Sequence, residues 1–326
     1  MTRETPPFSR NELPRRCAMS AIPTTDELYN RPVALDDRIS LEEALASSIA
    51  HKQRISPWTS DRVTRANKAK WHPVYDFLFE YYPYRPSKLE RWSPGCDITV
   101  TTHDSSLLDW SEFWSPVEGG VSIVSSSFPQ RRRDYLLWAH KYLANTADRP
   151  PFFGCFGLHE WAMVYRAENV RHEYVPLRLT QKEINEVVEG GELKCSHYDA
   201  FRFFTPDAVP RNRTHLTRET TTEFDQRGCI HVTMDLYKFA HKISPWSSSE
   251  LIADCFVLAA KAREIDMRAS PYDLTHYGFA PIRIEEKAGR EEYLTYQREL
   301  SELSRPIRSQ LLTLYSQLIA SSVRSQ

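Results

Sequence analysis

Residues 154–166 read Gly-Cys-Phe-Gly-Leu-His-Glu-Trp-Ala-Met-Val-Tyr-Arg and lie near the middle of a chain of 326 residues. The two glycines allow the backbone to turn tightly or to approach a ligand closely, and His159, Glu160 and Trp161 follow them directly. Two further histidine-centred segments, residues 197–204 and 231–238, lie to the C-terminal side. We expect the three segments to converge on one pocket.

The rest of the chain predicts the fold around that pocket. Helical periodicity dominates and only a few short stretches alternate, so we expect a mainly α protein with a few short β-strands (α+β). An apolar fraction of 41% and a charged fraction of 26% are typical of a globular protein, which favours a single compact multi-helix domain over residues 36–326. Residues 1–35 lack periodicity and are rich in Pro, Arg, Ser and Thr, which predicts a flexible leader.

Charge and hydropathy limit the partners. Lys plus Arg number 42 and Asp plus Glu number 43, so the net charge of the chain is too small to attract a polyanion. A local basic patch can still contact phosphates. No run approaches 18 apolar residues and no apolar secretory segment follows the N-terminus. We therefore predict no membrane partner and a cytoplasmic location.

Local signals predict several elements. Ser40 with Glu43, and Thr180 with Glu183, have the spacing of capping boxes at helix starts. Alternation predicts short strands, and apolar periodicity predicts the C-terminal helices. The predicted strands are residues 97–102, 120–126, 174–179 and 201–203, and the predicted helices are 231–243, 249–265 and two segments flanking Pro306.

The helix that begins near His231 carries the clearest chemical pattern. Helical spacing places His231, Asp235 and Lys238 on one face, together with Lys242. One interpretation is a solvated stripe with ordinary ion pairs. The other is a cleft wall in which cations keep Asp235 ionised, so that it stabilises positive charge or activates water.

Metal binding is a separate question. Met163 stands where the HExxH zinc motif requires its second histidine, so that motif is absent. His159, His197 and His231 meeting in space as metal ligands stays open as an alternative. Histidines on apolar elements are more often hydrogen-bonded in a core, so we predict no bound metal ion and no cofactor.

Basic and aromatic side chains form a second group of candidates. Prolines on either side place Tyr82, Tyr84 and Arg85 on an aromatic, cationic loop. Two basic runs are candidates for phosphate contact, although a solvated face is the alternative for the first. The first run includes Arg62 and Arg65, and the second is Arg131, Arg132 and Arg133 at a helix N-terminus.

Three blocks together, residues 72–86, residues 154–166, and residues 231–238 with 266–273, resemble a bacterial family catalogued as 3-methyladenine DNA glycosylases. The resemblance covers roughly residues 50–320. It implies a hydrolase that removes alkylated bases from double-stranded DNA by cleaving the N-glycosidic bond. The chain has no helix-hairpin-helix signature, and no site residue is carried over position by position.

If the resemblance holds, physical chemistry assigns base-binding and catalytic roles to the candidate residues. An extruded cationic base would stack on an aromatic ring, and a carboxylate would stabilise the sugar and orient water. The base-binding residues would be Tyr82, Tyr84, Arg85, Trp161 and Arg202, and the catalytic ones Asp235, Glu160, His159, His197, His231 and Lys238. Two alternatives remain: a small-molecule enzyme with a His/carboxylate site, either with or without a metal, and a non-enzymatic protein with an aromatic binding pocket.

Overall fold

The computed structural model describes residues 37–168, 170 and 174–323, so the predicted leader at residues 1–35 lies outside the described residues. Four short strands are β1 (Arg38–Ser40), β2 (Thr99–Thr101), β3 (Ser115–Val117) and β4 (Gly120–Ser122). The helices of the N-terminal half are α1 (Leu41–Asn67), α2 (Phe77–Tyr81), α3 (Pro86–Leu89) and α4 (Arg133–Asp148). Those that follow are α5 (Leu158–Ala162), α6 (Gln181–Gly190), α7 (Tyr198–Phe201), α8 (Thr221–Phe224), α9 (Ile230–Lys242), α10 (Ser249–Arg268) and α11 (Lys287–Val323).

Both predicted capping boxes are confirmed. The Ser40 hydroxyl accepts from the Glu43 backbone N–H, and the Glu43 carboxylate accepts from the Ser40 N–H at 2.8 Å. Thr180 and Glu183 make the same reciprocal bonds at the start of α6. The first basic run, with Arg62 and Arg65, lies in the C-terminal part of α1, which continues through Pro57 and ends at Asn67.

The strands form one small mixed sheet with the order β1-β2-β4-β3. β1 pairs with β2 in parallel, and the other two pairs are antiparallel. Gly120 allows β4 to approach β2, because a Cβ at this position would lie 2.1 Å from the Val100 carbonyl oxygen. The strands predicted at residues 97–102 and 120–126 are confirmed as β2 and β4.

Two predicted strands are wrong. Residues 198–201 form α7, because Phe201 and Phe204 pack together at helical spacing with their ring centroids 5.2 Å apart. Residues 174–179 form turns and a single bridge between Leu177 and Tyr272. The two segments predicted around Pro306 form one continuous helix, α11, whose packing against α4, α9 and α10 holds the turn that the proline weakens.

The core lies around α10, which packs against α1, α9 and α11 and is buried along almost its whole length. Asp254 on α10 pairs with Arg54 of α1 at 2.6 Å, which joins the two helices. The fold is mainly α with a few short strands in a single compact domain, as predicted. Among the described residues, we find no helix with the length and apolarity that a membrane crossing requires.

Candidate functional site

A tight turn before α5 aims the residues of the Gly154–Arg166 stretch. Phe156 and Gly157 both adopt left-handed backbone angles, with φ of 47° and 74°. Such angles are costly for phenylalanine, and a side chain at position 157 would also meet Ala269 and the Tyr293 ring at 3.3 Å. The turn directs the next helix so that His159 and Glu160 contact α10.

We call the first cluster the inner set: His159, Glu160, His231, Arg263 and Asp266, all of them buried. His159 Nε2 shares a hydrogen bond of 2.7 Å with Asp266 Oδ1. Arg263 Nη1 donates to Asp266 Oδ2 at 2.7 Å and to Glu160 Oε1 at 2.8 Å. His231 Nε2 lies 3.8 Å from Asp266 Oδ2, so three elements, α5, α9 and α10, meet at one carboxylate.

Burial and charge shift the pKa values of this set. Burial alone would raise the pKa of Asp266, but the charge and hydrogen bond of His159, followed by the charges of His231 and Arg263, hold it far below its usual range. Burial is the largest cause of the low pKa of His231, which lies well below its ordinary value. The charge of His159 lowers this pKa further. Asp266 is therefore ionised and His231 neutral at pH 7.

His231 connects this cluster to a second one. Its ring meets the His159 ring edge-on with centroids 4.4 Å apart, and it stacks parallel on the His197 ring at 5.4 Å. The second cluster, which we call the outer set, consists of His197, Asp199, Asp235 and Lys238. The three histidine-centred segments that were predicted to converge therefore lie together in the fold.

An orienting carboxylate holds the His197 ring. His197 Nδ1 lies 3.1 Å from Asp225 Oδ2, which also accepts a bond of 2.6 Å from the Tyr142 hydroxyl. The other ring nitrogen, Nε2, is buried and has no hydrogen-bond partner. Burial would lower the pKa of His197, but the charge and hydrogen bond of Asp225 outweigh it and raise the pKa above its ordinary value.

Asp235 is the buried carboxylate of the outer set. The Tyr82 hydroxyl donates to Oδ1 at 2.8 Å, and the Lys238 ammonium donates to Oδ2. Burial would raise the pKa of Asp235, but Lys238, His197 and the two hydrogen bonds lower it below its usual value. The solvated-stripe interpretation of this helix face is wrong, because His231 and Asp235 are only 9% and 2% exposed.

The two sets differ in their access to solvent. The side chains of Asp199 and Lys238 are 32% and 22% exposed, and that of His231 is 11% exposed. Asp225 and Asp266 are fully buried. Solvent therefore reaches the outer set directly, and reaches the inner set only at the edge of His231.

Stacked aromatic rings lie beside both sets. Phe77 and Tyr81 of α2 are parallel, with centroids 5.1 Å apart. The Arg263 guanidinium lies over the Phe77 ring at 3.9 Å. Burial raises the pKa of the Tyr81 hydroxyl, and the nearby charges of Asp235 and Asp199 raise it further. Both side chains are half-buried, and the two faces of the Phe77 ring are covered by Tyr81 and Arg263.

The aromatic residues predicted to stack on a base lie in different surroundings. Tyr82 is buried against Asp235, and Tyr84 stacks on His241 at 3.7 Å and donates to the Lys238 carbonyl. Trp161 is fully buried and donates to the Ala269 carbonyl at 2.9 Å. Their predicted role in base binding stays a prediction.

The predicted basic residues separate into two groups. Arg62 and Arg65 are engaged by carboxylates of the α2 region: Arg65 Nε donates to Asp76 at 3.0 Å, and Arg62 lies 3.5 Å from Glu80. Arg132, by contrast, donates to the Lys242 carbonyl near the outer set.

We call Arg132, Lys238 and Lys242 the basic rim. The Arg132 and Lys242 cations both lie over the Tyr135 ring, at 5.7 and 4.9 Å. Arg202 is 41% exposed and pairs with Asp199 at 3.2 Å, and Arg85 and Arg131 are exposed while Arg133 is half-buried. The outer set is therefore open on a side that carries cations.

Two groups of side chains within the described range have the composition and spacing of metal ligands. They are His159, His231 and Asp266 in the inner set, and His197, Asp199 and Asp235 in the outer set. Within each group, one ligand atom per residue lies within 4.8 Å of the others. Histidine and carboxylate ligands of this kind suit zinc, iron or manganese.

Several residues of the site were not predicted from the sequence. Arg263, Asp266 and Asp225 orient or neutralise the predicted residues, and Tyr142 and Asp199 support them. The available signal was a charged pair within the apolar periodicity of α10, because buried charges require partners. Comparison of the chain with models of protein families, with curated proteins and with solved structures finds no match.

Proposed function

We propose that this chain is a hydrolase that cleaves the N-glycosidic bond of an alkylated base, with the outer set as its catalytic centre. The supporting observation is that an ionised, buried Asp235 and an unpartnered His197 Nε2 share one cluster that is open to solvent through Asp199 and Lys238. The resemblance to glycosylases suggests the N-glycosidic bond as the target, and the cluster contains side chains whose chemistry suits the cleavage of that bond.

Asp235 has the properties that this reaction requires of a carboxylate. As the base leaves, positive charge develops on the sugar, and a fixed negative charge in a water-poor site stabilises it. The two hydrogen bonds from Tyr82 and Lys238 hold the carboxylate in place and ionised. The same group can orient the attacking water.

His197 has the properties of a hydrogen-bond donor to the leaving base. Its Nδ1 is held by Asp225, so the proton on Nε2 is the one that can face the base. The pKa of His197 is raised by Asp225, despite the opposing effect of burial, which favours the protonated ring. A methylated base that is already cationic leaves as a neutral molecule and takes up no proton, so Nε2 would donate a hydrogen bond to a ring nitrogen of the base as the glycosidic bond breaks.

The surroundings fit a flat cationic ring attached to a phosphate-bearing chain. A methylated purine carries positive charge and is attracted to ring faces, and the half-buried Tyr81 lies beside Asp235 and Asp199. The basic rim would contact the backbone phosphates. In this proposal Tyr81 takes the stacking role first assigned to Tyr82, Tyr84 and Trp161.

The test is release of methylated base from alkylated double-stranded DNA by the full-length chain. We expect the wild-type protein to release base and Asp235→Asn to lower the rate by about 10²–10⁴-fold, the range typical of a lost acid–base group. Asp207→Asn is the matched control, because Asp207 is an exposed aspartate that pairs with Arg166 at 3.6 Å and belongs to neither set. An Asp235→Asn protein as active as the control would contradict the assignment.

A small-molecule substrate is the second candidate, because the net charge of −1 supplies no global attraction for DNA. The same assay with a free alkylated nucleoside separates the two substrates. Release from the nucleoside alone would support the small-molecule enzyme. Binding of the base without release from either substrate would support a non-enzymatic aromatic-pocket protein and would overturn the hydrolase.

A further inference from the structure

We infer that the inner set binds one divalent transition-metal ion, with His159, His231 and Asp266 as its ligands. The ligand atoms of these three residues lie within 4.8 Å of one another. Two imidazoles and one carboxylate form a common protein site for zinc and for non-haem iron, and such sites leave further coordination positions open. The inference does not depend on the hydrolysis proposed above, which uses the outer set.

The charge balance distinguishes the inner set from the outer one. In the inner set a single cation, Arg263, is shared by two carboxylates, Glu160 and Asp266, and all three are sealed from solvent. A buried charge without a partner is costly, so the set needs a second positive charge beside Asp266, either a proton shared with His159 or a metal ion. A divalent ion at Asp266 supplies it.

The outer set has no such deficit. Its two carboxylates, Asp199 and Asp235, are matched by two side-chain cations, Lys238 and Arg202. The Lys238 ammonium already lies between the carboxylates, in contact with Asp235 and 4.0 Å from Asp199. A metal ion there would have to displace this cation, and we therefore assign the metal to the inner set alone.

A second observation points to a ligand at the same place. Glu160 Oε2 is a buried polar atom with no hydrogen-bond partner, although its residue is only 3% exposed. It borders the proposed ligands, because Glu160 follows His159 in the chain and its other oxygen shares Arg263 with Asp266. A metal ion that carries water would offer this atom the partner it lacks.

Binding changes the protons in a defined way. The hydrogen bond of 2.7 Å between His159 Nε2 and Asp266 Oδ1 requires a proton between the two atoms. When both atoms coordinate the ion instead, that proton leaves, and the histidine binds through its lone pair.

The experiment measures metal retention by the full-length protein. The protein is stripped with a chelator, dialysed against Zn²⁺ or Co²⁺, passed through a desalting column and analysed for bound metal. We expect one ion per chain, and a visible Co²⁺ spectrum typical of nitrogen and oxygen ligands. His231→Ala and His159→Gln should weaken binding by more than about 100-fold, because loss of an outer-shell partner alone weakens metal sites by about 10–100-fold.

His51→Gln is the matched control. His51 is also a buried histidine, but its Nε2 pairs with the Leu89 carbonyl at 2.8 Å, outside both sets. The control should retain metal as the wild-type protein does. Equal retention by wild type, control and His231→Ala would overturn the site, as would the absence of retained metal in the wild-type protein, which would mean that a proton supplies the missing charge.

A readout that needs no variant covers the case in which the substitutions prevent folding. A metal that binds only the folded chain raises the melting temperature of the stripped wild-type protein as its concentration rises, and no rise would overturn the site. Retention and melting are measured without substrate, and base release can be assayed with chelator present. Failure of the hydrolase and failure of the metal site are therefore distinguishable.

Discussion

The inner and outer sets contain the same kinds of side chain, namely histidine, carboxylate and one or more cations, yet they differ in burial and in charge balance. The inner set lies between α5 and α10 in the centre of the fold, and two carboxylates share one arginine there. The outer set lies on α7 and α9, where Asp199 and Lys238 reach solvent. Composition alone therefore does not determine whether such a cluster is accessible to substrate.

The difference follows from the helices that carry each set. α10 is buried on nearly all sides, so Arg263 and Asp266 must neutralise each other and their neighbours within the core. α9 has a buried first half, but Lys238 and Lys242 near its end lie towards solvent. A ligand would therefore enter by the outer set, and the inner set would support it from behind.

The largest expected effect comes from removing the buried cation. Arg263→Met leaves Glu160 and Asp266 uncompensated, and we expect the free energy of unfolding to fall by about 3–5 kcal/mol. Lys238→Met removes a cation that is 22% exposed, and the expected loss is about 1 kcal/mol. Denaturant unfolding at pH 7 measures both, and equal losses would remove the distinction between the sets.

The tyrosines that donate to the buried carboxylates should have intermediate effects. Tyr82→Phe removes the bond to Asp235, and Tyr142→Phe removes the bond to Asp225. Hydrogen bonds to charged groups contribute about 1.5–3 kcal/mol, so each variant should lose roughly that amount. If Tyr82→Phe also lowers base release and a surface tyrosine variant, Tyr174→Phe, does not, Asp235 acts in the reaction as proposed.

The pH dependence of stability gives a third test near the outer set. Burial lowers the pKa of His241 to about 4, and its ring stacks on Tyr84. Below about pH 6.5 the unfolded chain binds a proton at this residue that the folded chain does not bind until about pH 4. Stability should therefore fall as the pH is lowered through this window, and the contribution of this residue should be about 3 kcal/mol.

His241→Phe isolates that contribution, because phenylalanine keeps the stack on Tyr84 and cannot titrate. The variant should lose less stability than the wild-type protein between pH 6.5 and 4, as measured by denaturant unfolding at each pH. Parallel curves for the two proteins would mean that the His241 ring titrates normally in the folded state.

The smallest effect concerns the basic residues. Arg132→Ala should weaken DNA binding several-fold. The slope of the logarithm of affinity against the logarithm of salt concentration should fall in magnitude by about 1, because one phosphate contact is lost. Arg62→Ala should have little effect, because Asp76 and Glu80 already pair with Arg62. Binding titrations at several salt concentrations measure both, and the reverse order would move the DNA-contacting surface to α1.

Local chemistry explains which parts of the fold could be predicted. The capping boxes at Ser40 and Thr180 depend on residues three positions apart, and both were identified from the sequence. The strand expected around Arg202 was wrong because two alternating phenylalanines also fit a helical turn. The continuity of α11 through Pro306 was missed because packing against other helices outweighs the preference of proline to end a helix.

The candidate site was predictable only in part, for a similar reason. The histidine-centred segments were visible because their residue types are unusual at apolar positions. Their partners were not, because Asp225 lies 28 positions from His197, and Arg263 lies 103 positions from Glu160. No local spacing links such pairs, although a charged pair inside the apolar pattern of α10 indicates that buried partners exist.

The most direct test of the outer set as the catalytic centre is a crystal structure of the protein soaked with 3-methyladenine, the product expected of the proposed reaction. We predict the purine ring against Tyr81, with a ring nitrogen within hydrogen-bond distance of His197 Nε2. Binding instead in the surface groove of about 480 Å³ between α1 and residues 87–109, which contains no residue of either set, would contradict the account.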